Sequence, residues 1–245
     1  MPNDYFQFQQ FRIEQGSCAM KVSTDACLLG AAVDLRGATR LLDIGTGTGL
    51  LALMAAQRHP TVKIEAIEID KAAATQAAAN VAASPWAGRI RVRPVSLTHY
   101  ATMLTTASAT ANFLFSHIIC NPPFFRKAMP SADAARNTAR HEGAASLSFG
   151  EIAAFAARFL APTGQLTVLL PPPEMQLFAA EAAAVGLFPQ MRLAVRHRAG
   201  GRITRHISHF GRGATAVLET ELLIYDGNDY SAEFRVLLAG FYLAL

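Results

Sequence analysis

Residues 40–49, RLLDIGTGTG, decide the fold. Arg40-Leu41-Leu42-Asp43-Ile44 reads as a short buried strand, Gly45-Thr46-Gly47-Thr48-Gly49 as a glycine loop, and Leu50 to Arg58 as the helix that follows. Glycine at alternate positions permits backbone angles closed to other residues and lets a ligand come close to the chain. The unpaired N–H groups at the start of the helix favour an anionic or nucleotide-like ligand there. Outward from this unit, Val62 to Ile67 is a second strand, ending in Glu68-Ile69-Asp70 before the alanine-rich helix Lys71 to Ala83. Glu68, at the strand end, is placed to accept both hydroxyls of a ribose. Asp70 reads as the N-cap of the helix.

Further strands are expected at Arg89 to Val95, Ser116 to Cys120 and Gly164 to Leu170, with helices at Ser148 to Leu160 and Pro173 to Val185. This alternation implies an α/β protein with a doubly wound, mostly parallel sheet and its ligands at the carboxyl edge. Beyond Phe188 the texture becomes β-like, and Gln190 to Arg196 with Ala214 to Tyr225 reads as an antiparallel hairpin that brings the sheet to seven strands. Upstream, residues 6–15 alternate enough for a short hairpin, and Ser23-Thr24-Asp25 opens an apolar helix running to Val33. Tyr230 to Leu245 is expected to close the chain as a helix. Residues 1–35 form an N-terminal extension and 36–245 the main domain, in one globular unit of 245 residues.

Composition narrows the function classes. Apolar residues make up 51% and the mean hydropathy is +0.23, yet polar residues interrupt every apolar run, so no membrane span is expected. The N-terminus lacks a basic start followed by an apolar block, which argues against a secretory signal and for the cytoplasm. Cys18, Cys27 and Cys120 have no metal-ligand spacing and are odd in number, so neither a zinc site nor a disulfide framework is expected. The net charge of +4 is modest, but its distribution is uneven. Arg192, Arg196, His197, Arg198, Arg202, Arg205, His206, His209 and Arg212 fall in one run without Asp or Glu, which reads as a surface facing a polyanion. Arg126-Lys127 and Arg140-His141 form a second basic stretch.

The apolar run Phe115 to Cys120 ends in Asn121-Pro122-Pro123-Phe124. Two prolines remove two backbone donors and fix φ, and Asn121, preceding a proline, is pushed out of the helical region. The product is a short rigid lip. The Asn121 side-chain oxygen and the Pro122 carbonyl can each accept one hydrogen of a planar amine, and Phe124 can stack on the attached π-system. Read alone, the same four residues also suit a proline-stiffened strand exit.

A glycine loop followed by an acidic strand end suits a nicotinamide dinucleotide or S-adenosylmethionine. Gly45, Gly47 and Gly49 are spaced G-x-G-x-G, not the dinucleotide G-x-G-x-x-G. Leu41 to Gly49 resembles the first motif of the class I methyltransferases that use S-adenosylmethionine. The resemblance implies a cofactor pocket of Asp43, Gly45, Thr46, Gly47 and Gly49, with Glu68 on the ribose and Ile69 beside it. With the NPPF lip it implies methylation of a nitrogen conjugated to a π-system: adenine N6, guanine N2 or the glutamine amide.

Over Phe8 to Gly30, Ala139 to Glu142 and Tyr230 to Arg235 the sequence resembles the bacterial tRNA1(Val) adenine N6-methyltransferases, which modify the adenine just 3′ of the anticodon. That resemblance implies that Lys21, Thr24 and Asp25 help close the cofactor pocket, that Asn121, Pro122, Pro123 and Phe124 serve the reaction, and that an anticodon loop is the partner. Arg126, Lys127, Arg140, His141, Arg198, Arg202 and Arg205 are then expected on the RNA. Ser96 stands where related enzymes carry an Asp for the cofactor adenine. Competing readings are a release-factor glutamine N5-methyltransferase, a ribosomal RNA guanine N2-methyltransferase, a nicotinamide reductase and a catalytically silent RNA-binding module.

Overall fold

The computed structural model describes residues 4–18, 20–107, 113–123 and 147–244. The chain begins with β1 (Tyr5–Gln7) and β2 (Arg12–Glu14), an antiparallel pair, and the Ser23 hydroxyl then caps α1 (Thr24–Ala32) by accepting from Ala26 N. Next come β3 (Arg40–Ile44), α2 (Leu50–Arg58), β4 (Lys63–Glu68), α3 (Lys71–Ala82), β5 (Ile90–Pro94), α4 (Leu97–Ala107) and β6 (Phe115–Cys120). Beyond residue 147 lie α5 (Phe149–Phe159), β7 (Leu160–Leu170), α6 (Pro172–Ala184), β8 (Leu187–Arg196), β9 (Ile203–Arg212), β10 (Leu218–Leu223), the short pair β11 (Tyr225–Asp226) and β12 (Asp229–Tyr230), and α7 (Ala232–Leu238). Ser148 and Glu151 cap α5 reciprocally, and the Asp70 carboxylate caps α3 through Ala73 N at 2.8 Å, as its spacing predicts.

The main sheet runs β10-β8-β9-β7-β6-β3-β4-β5. Strands β3 to β7 are parallel, and β9 is antiparallel to both β7 and β8. From β3 the chain builds outward to β4 and β5 on one side, then returns to place β6 and β7 on the other. The strand order therefore reverses between β3 and β6, where open α/β sheets bind their ligands. One face of the sheet is covered by α1, α2, part of α3, α7 and the N-terminal hairpin. The other face is covered by α4, α5 and α6. Phe8, Phe11 and Ile13 are buried in the first cluster, so the N-terminal hairpin packs into the same core as the sheet.

Three details differ from the sequence reading. The antiparallel partner of β8 is β9, drawn from within the arginine run, whereas β10, read as that partner, lies parallel to β8 as an eighth strand. Arg192 and Arg196 alternate on β8 with Leu193 and Val195, which pack against the core, and that alternation was masked by the charge. The terminal helix spans only Ala232–Leu238 rather than running to the end. Helix α4 follows β5 in a threonine-rich stretch, LTHYATMLTTA, that composition alone does not mark as helical.

Candidate active site at the carboxyl edge of the sheet

Asp43 is buried one residue before the end of β3, and its Oδ2 accepts from the Thr46 hydroxyl at 2.5 Å. Burial raises the Asp43 carboxyl from 3.8 to about 7, with the Thr46 hydroxyl pulling the other way. Its Oδ1 has no hydrogen-bond partner among the described residues. Gly45 N and Thr46 N donate to the Ile67 carbonyl at 2.9 and 3.0 Å, which ties the loop to the end of β4. The Glu68 carboxylate is oriented by two backbone donors, Gly47 N at 2.9 Å and Asp70 N at 3.0 Å. Gly45 and Gly47 have φ of 69° and 54°, where a side chain would be strained. A Cβ at either would meet nothing within 4 Å, so the loop backbone lies open on its ligand side.

The register places the lip directly against this loop. Ile44 pairs with Cys120, so Gly45 and Asn121 are the next residues on neighbouring parallel strands, which lie about 4.8 Å apart. A cleft of about 380 Å³ is lined by Asn121, Pro122 and Pro123 from the lip and by Met20, Lys21, Ser23 and Asp25 from the N-terminal segment. Asn121 is half-buried, Pro122 buried and Pro123 exposed. Phe124, Arg126, Lys127, Arg140 and His141 lie outside the described residues.

The N-terminal segment reaches the loop from two sides. Burial, with the charges of Glu68 and Asp70 added, pushes the Cys18 thiol up. Lys21 and Asp25 line the cleft, whereas the Thr24 hydroxyl interacts with Tyr242. Asn80 on α3, which sequence reasoning passed over as one polar residue in an alanine helix, is buried; it donates to the Thr48 and Glu14 carbonyls at 2.9 and 2.8 Å and accepts from Glu14 N at 2.9 Å. Ile69 is 49% exposed next to Glu68, an apolar surface suited to the flat face of an adenine. The Ser96 hydroxyl accepts from His99 N at 3.2 Å and so serves the first turn of α4, a duty its position after β5 did not reveal.

The acid-free run proves to have acidic and carbonyl partners elsewhere in the chain. Arg192 pairs with Glu219 at 2.9 Å and Arg196 with Glu221 at 2.5 Å, both across to β10. Arg212 donates to the carbonyls of Ala157 and Leu160, and His209 is buried. Arg205 pairs with Asp25 at 2.8 Å, its side chain 24% exposed. Arg198 and Arg202 are exposed in the turn between β8 and β9. Because β8 runs parallel to β7, that turn stands at the carboxyl edge, the same edge as Gly45, Glu68 and Asn121.

The residues fit S-adenosylmethionine: an open glycine backbone for the methionine end, a fixed carboxylate for ribose hydroxyls and an exposed Ile69 for the base. A family model described as methyltransferase small domain matches residues 18–171. A solved structure of a predicted O-methyltransferase from Agrobacterium tumefaciens shares the fold with a TM-score of 0.62 and 21% identity, over 89% of this chain and 96% of that one. Fold and site together define a methyltransferase of the doubly wound class I type. Curated proteins named tRNA1(Val) (adenine(37)-N6)-methyltransferase are similar over their whole length. The one from Dyadobacter fermentans is 41% identical over 98% of each chain, and that from Pseudoalteromonas translucida 39% identical over 98% of this chain and 99% of its own. The chain belongs to this family of tRNA-modifying enzymes.

Proposed function

We propose that this chain transfers a methyl group from S-adenosylmethionine to N6 of the adenine at position 37 of tRNA1(Val), the activity its relatives are named for. The observation that carries the reading is the adjacency of Gly45 and Asn121 at the point where the strand order reverses. It sets a rigid pair of hydrogen-bond acceptors against the loop that takes the cofactor. When bound, the cofactor supplies an electrophilic methyl on a sulfonium. The backbone of Gly45 to Gly49 holds its methionine end, Glu68 its ribose and Ile69 its adenine, with Asp43 fixing the loop through Thr46.

An exocyclic amine is a poor nucleophile because its lone pair is delocalised into the ring. The Asn121 side-chain oxygen and the Pro122 carbonyl accept its two hydrogens, favour the tetrahedral nitrogen and stabilise the positive charge that develops there. Their fixed positions supply orientation without reorganisation. The surplus proton then passes to water. Phe124 is assigned to stacking on the base. The target in an anticodon loop is already single-stranded, so bringing it to the lip costs only its stacking, a few kcal/mol at most. Arg198 and Arg202 are assigned to the tRNA backbone, and such a substrate places the enzyme in the cytoplasm. Residues 1–35 act as a cover on the cofactor pocket of the 36–245 domain.

The test is incubation with methyl-labelled S-adenosylmethionine and unmodified tRNA1(Val), followed by digestion to nucleosides. Label in N6-methyladenosine at position 37 is expected. Label in N2-methylguanosine, or none in RNA with transfer to a protein glutamine, would replace this reading.

A further inference from the structure

The Asp25–Arg205 pair joins two parts of the molecule that are 180 residues apart. Asp25 stands in the first turn of α1 and lines the cleft with Asn121 and the two prolines. Arg205 stands on β9, in register with Val195, just after the turn that carries Arg198 and Arg202. Its Nε donates to Asp25 Oδ2 at 2.8 Å, and its Nη1 donates to the Thr204 carbonyl at 2.7 Å, which fixes the guanidinium against its own strand. The two side chains are only 24% and 32% exposed, so this contact is screened less than the surface pairs of β8 with β10. Strand β9 is hydrogen-bonded on both sides in the main sheet, whereas the stretch leading into Asp25 is coil. The arginine is thus held by sheet neighbours on both sides, and its partner stands at the very start of α1.

Resting on the reading of the Asn121 lip as the methyl-transfer site, we propose that Arg205 is a positioning residue for that reaction: it sets the Asp25 wall of the cleft opposite the lip and links that wall to the RNA-facing turn. A phosphate contact at Arg205 would compete with this pair. The residue does its work through Asp25, and its charge is not counted in RNA affinity.

The two tasks separate experimentally. Arg205→Ala is expected to lower kcat on tRNA1(Val) by about 10- to 100-fold, as a misplaced wall would. The slope of log affinity for tRNA against log salt should stay as in the parent enzyme, whereas loss of a phosphate contact would flatten it by about one. Arg205→Lys should recover part of kcat, and Asp25→Asn combined with Arg205→Ala should be no worse than the more damaging single change, because the two act as a unit. A role in stability alone would lower the melting temperature without this non-additivity in kcat. A flattened salt slope, additive losses, or full kcat in Arg205→Ala with an active parent would overturn the inference alone. An inactive parent enzyme would overturn the substrate reading and the inference with it.

Discussion

Asn80 holds the Thr48 carbonyl at 2.9 Å from beneath the glycine loop, with the same amide nitrogen that holds the Glu14 carbonyl of the N-terminal hairpin. The loop is thus held at two points, by Asn80 on the Thr48 carbonyl and by the Glu68 carboxylate on Gly47 N. Asn80→Ala leaves buried carbonyls without a donor and should cost about 1–3 kcal/mol of stability. Cofactor affinity should fall with it, because the loop loses its preset shape. Thermal melting and calorimetric titration with S-adenosylmethionine check both, and an unchanged cofactor affinity would leave Asn80 a purely structural residue.

Glu68 accepts from Gly47 N and Asp70 N, and the ribose role is proposed for the same carboxylate. Glu68→Ala removes the acceptor for both backbone groups together with the proposed ribose acceptor, and should weaken cofactor binding by roughly tenfold or more, the equivalent of about 1.4 kcal/mol. Glu68→Gln keeps one acceptor oxygen and should fall between. If both variants bind the cofactor like the parent by calorimetry, the ribose is held elsewhere.

Arg198 and Arg202 are the exposed cations of the β8–β9 turn. Replacing both with Ala should weaken tRNA binding most at low salt and reduce the salt slope by about two. Cofactor affinity should not change. A filter-binding series over ionic strength reads this directly, and an unaltered slope would move the RNA interface away from the turn.

Two buried groups set opposite pH dependences. Burial depresses the His209 imidazole from 6.5 to about 4, so the unfolded chain takes up that proton first. This contribution to stability is whole above pH 6.5 and is lost as pH falls toward 4. Asp43, raised from 3.8 to about 7, is protonated first in the folded chain, so its contribution is whole below 3.8 and is lost as pH rises through 7. Each amounts to roughly 3–4 kcal/mol, and they oppose one another across the same window. On acidification from pH 7.5 to 5, His209→Gln should gain stability relative to the parent and Asp43→Asn should lose it. Urea midpoints at the two pH values check this, since the difference from the parent cancels all other groups. Parallel profiles would contradict it.

The parallel half of the fold was legible because each of its signals is local. A strand, a glycine loop and a helix follow one another within Arg40 to Arg58, and Glu68 and Asn121 mark strand ends by chemistry that strands otherwise avoid. The antiparallel part was less so. Arg192, Arg196 and Arg205 look unpaired along the chain because their partners, Glu219, Glu221 and Asp25, arrive from a later strand and from the first helix. Charge pairing of that kind is a property of the sheet, invisible to spacing. Asn80 was missed for the same reason: its value lies in three backbone groups contributed by two distant segments.

The central claim is that Asn121 grips the amine being methylated while the neighbouring glycine loop carries the donor. Single-turnover transfer to tRNA1(Val) by Asn121→Ala, with cofactor binding measured in parallel, tests it most directly. The expected result is transfer slowed by about 10³-fold, the loss typical of removing one fixed acceptor or donor at a site of developing charge, with a cofactor dissociation constant like that of the parent. Transfer at the parent rate would contradict the claim, as would a cofactor affinity that falls in step with the rate.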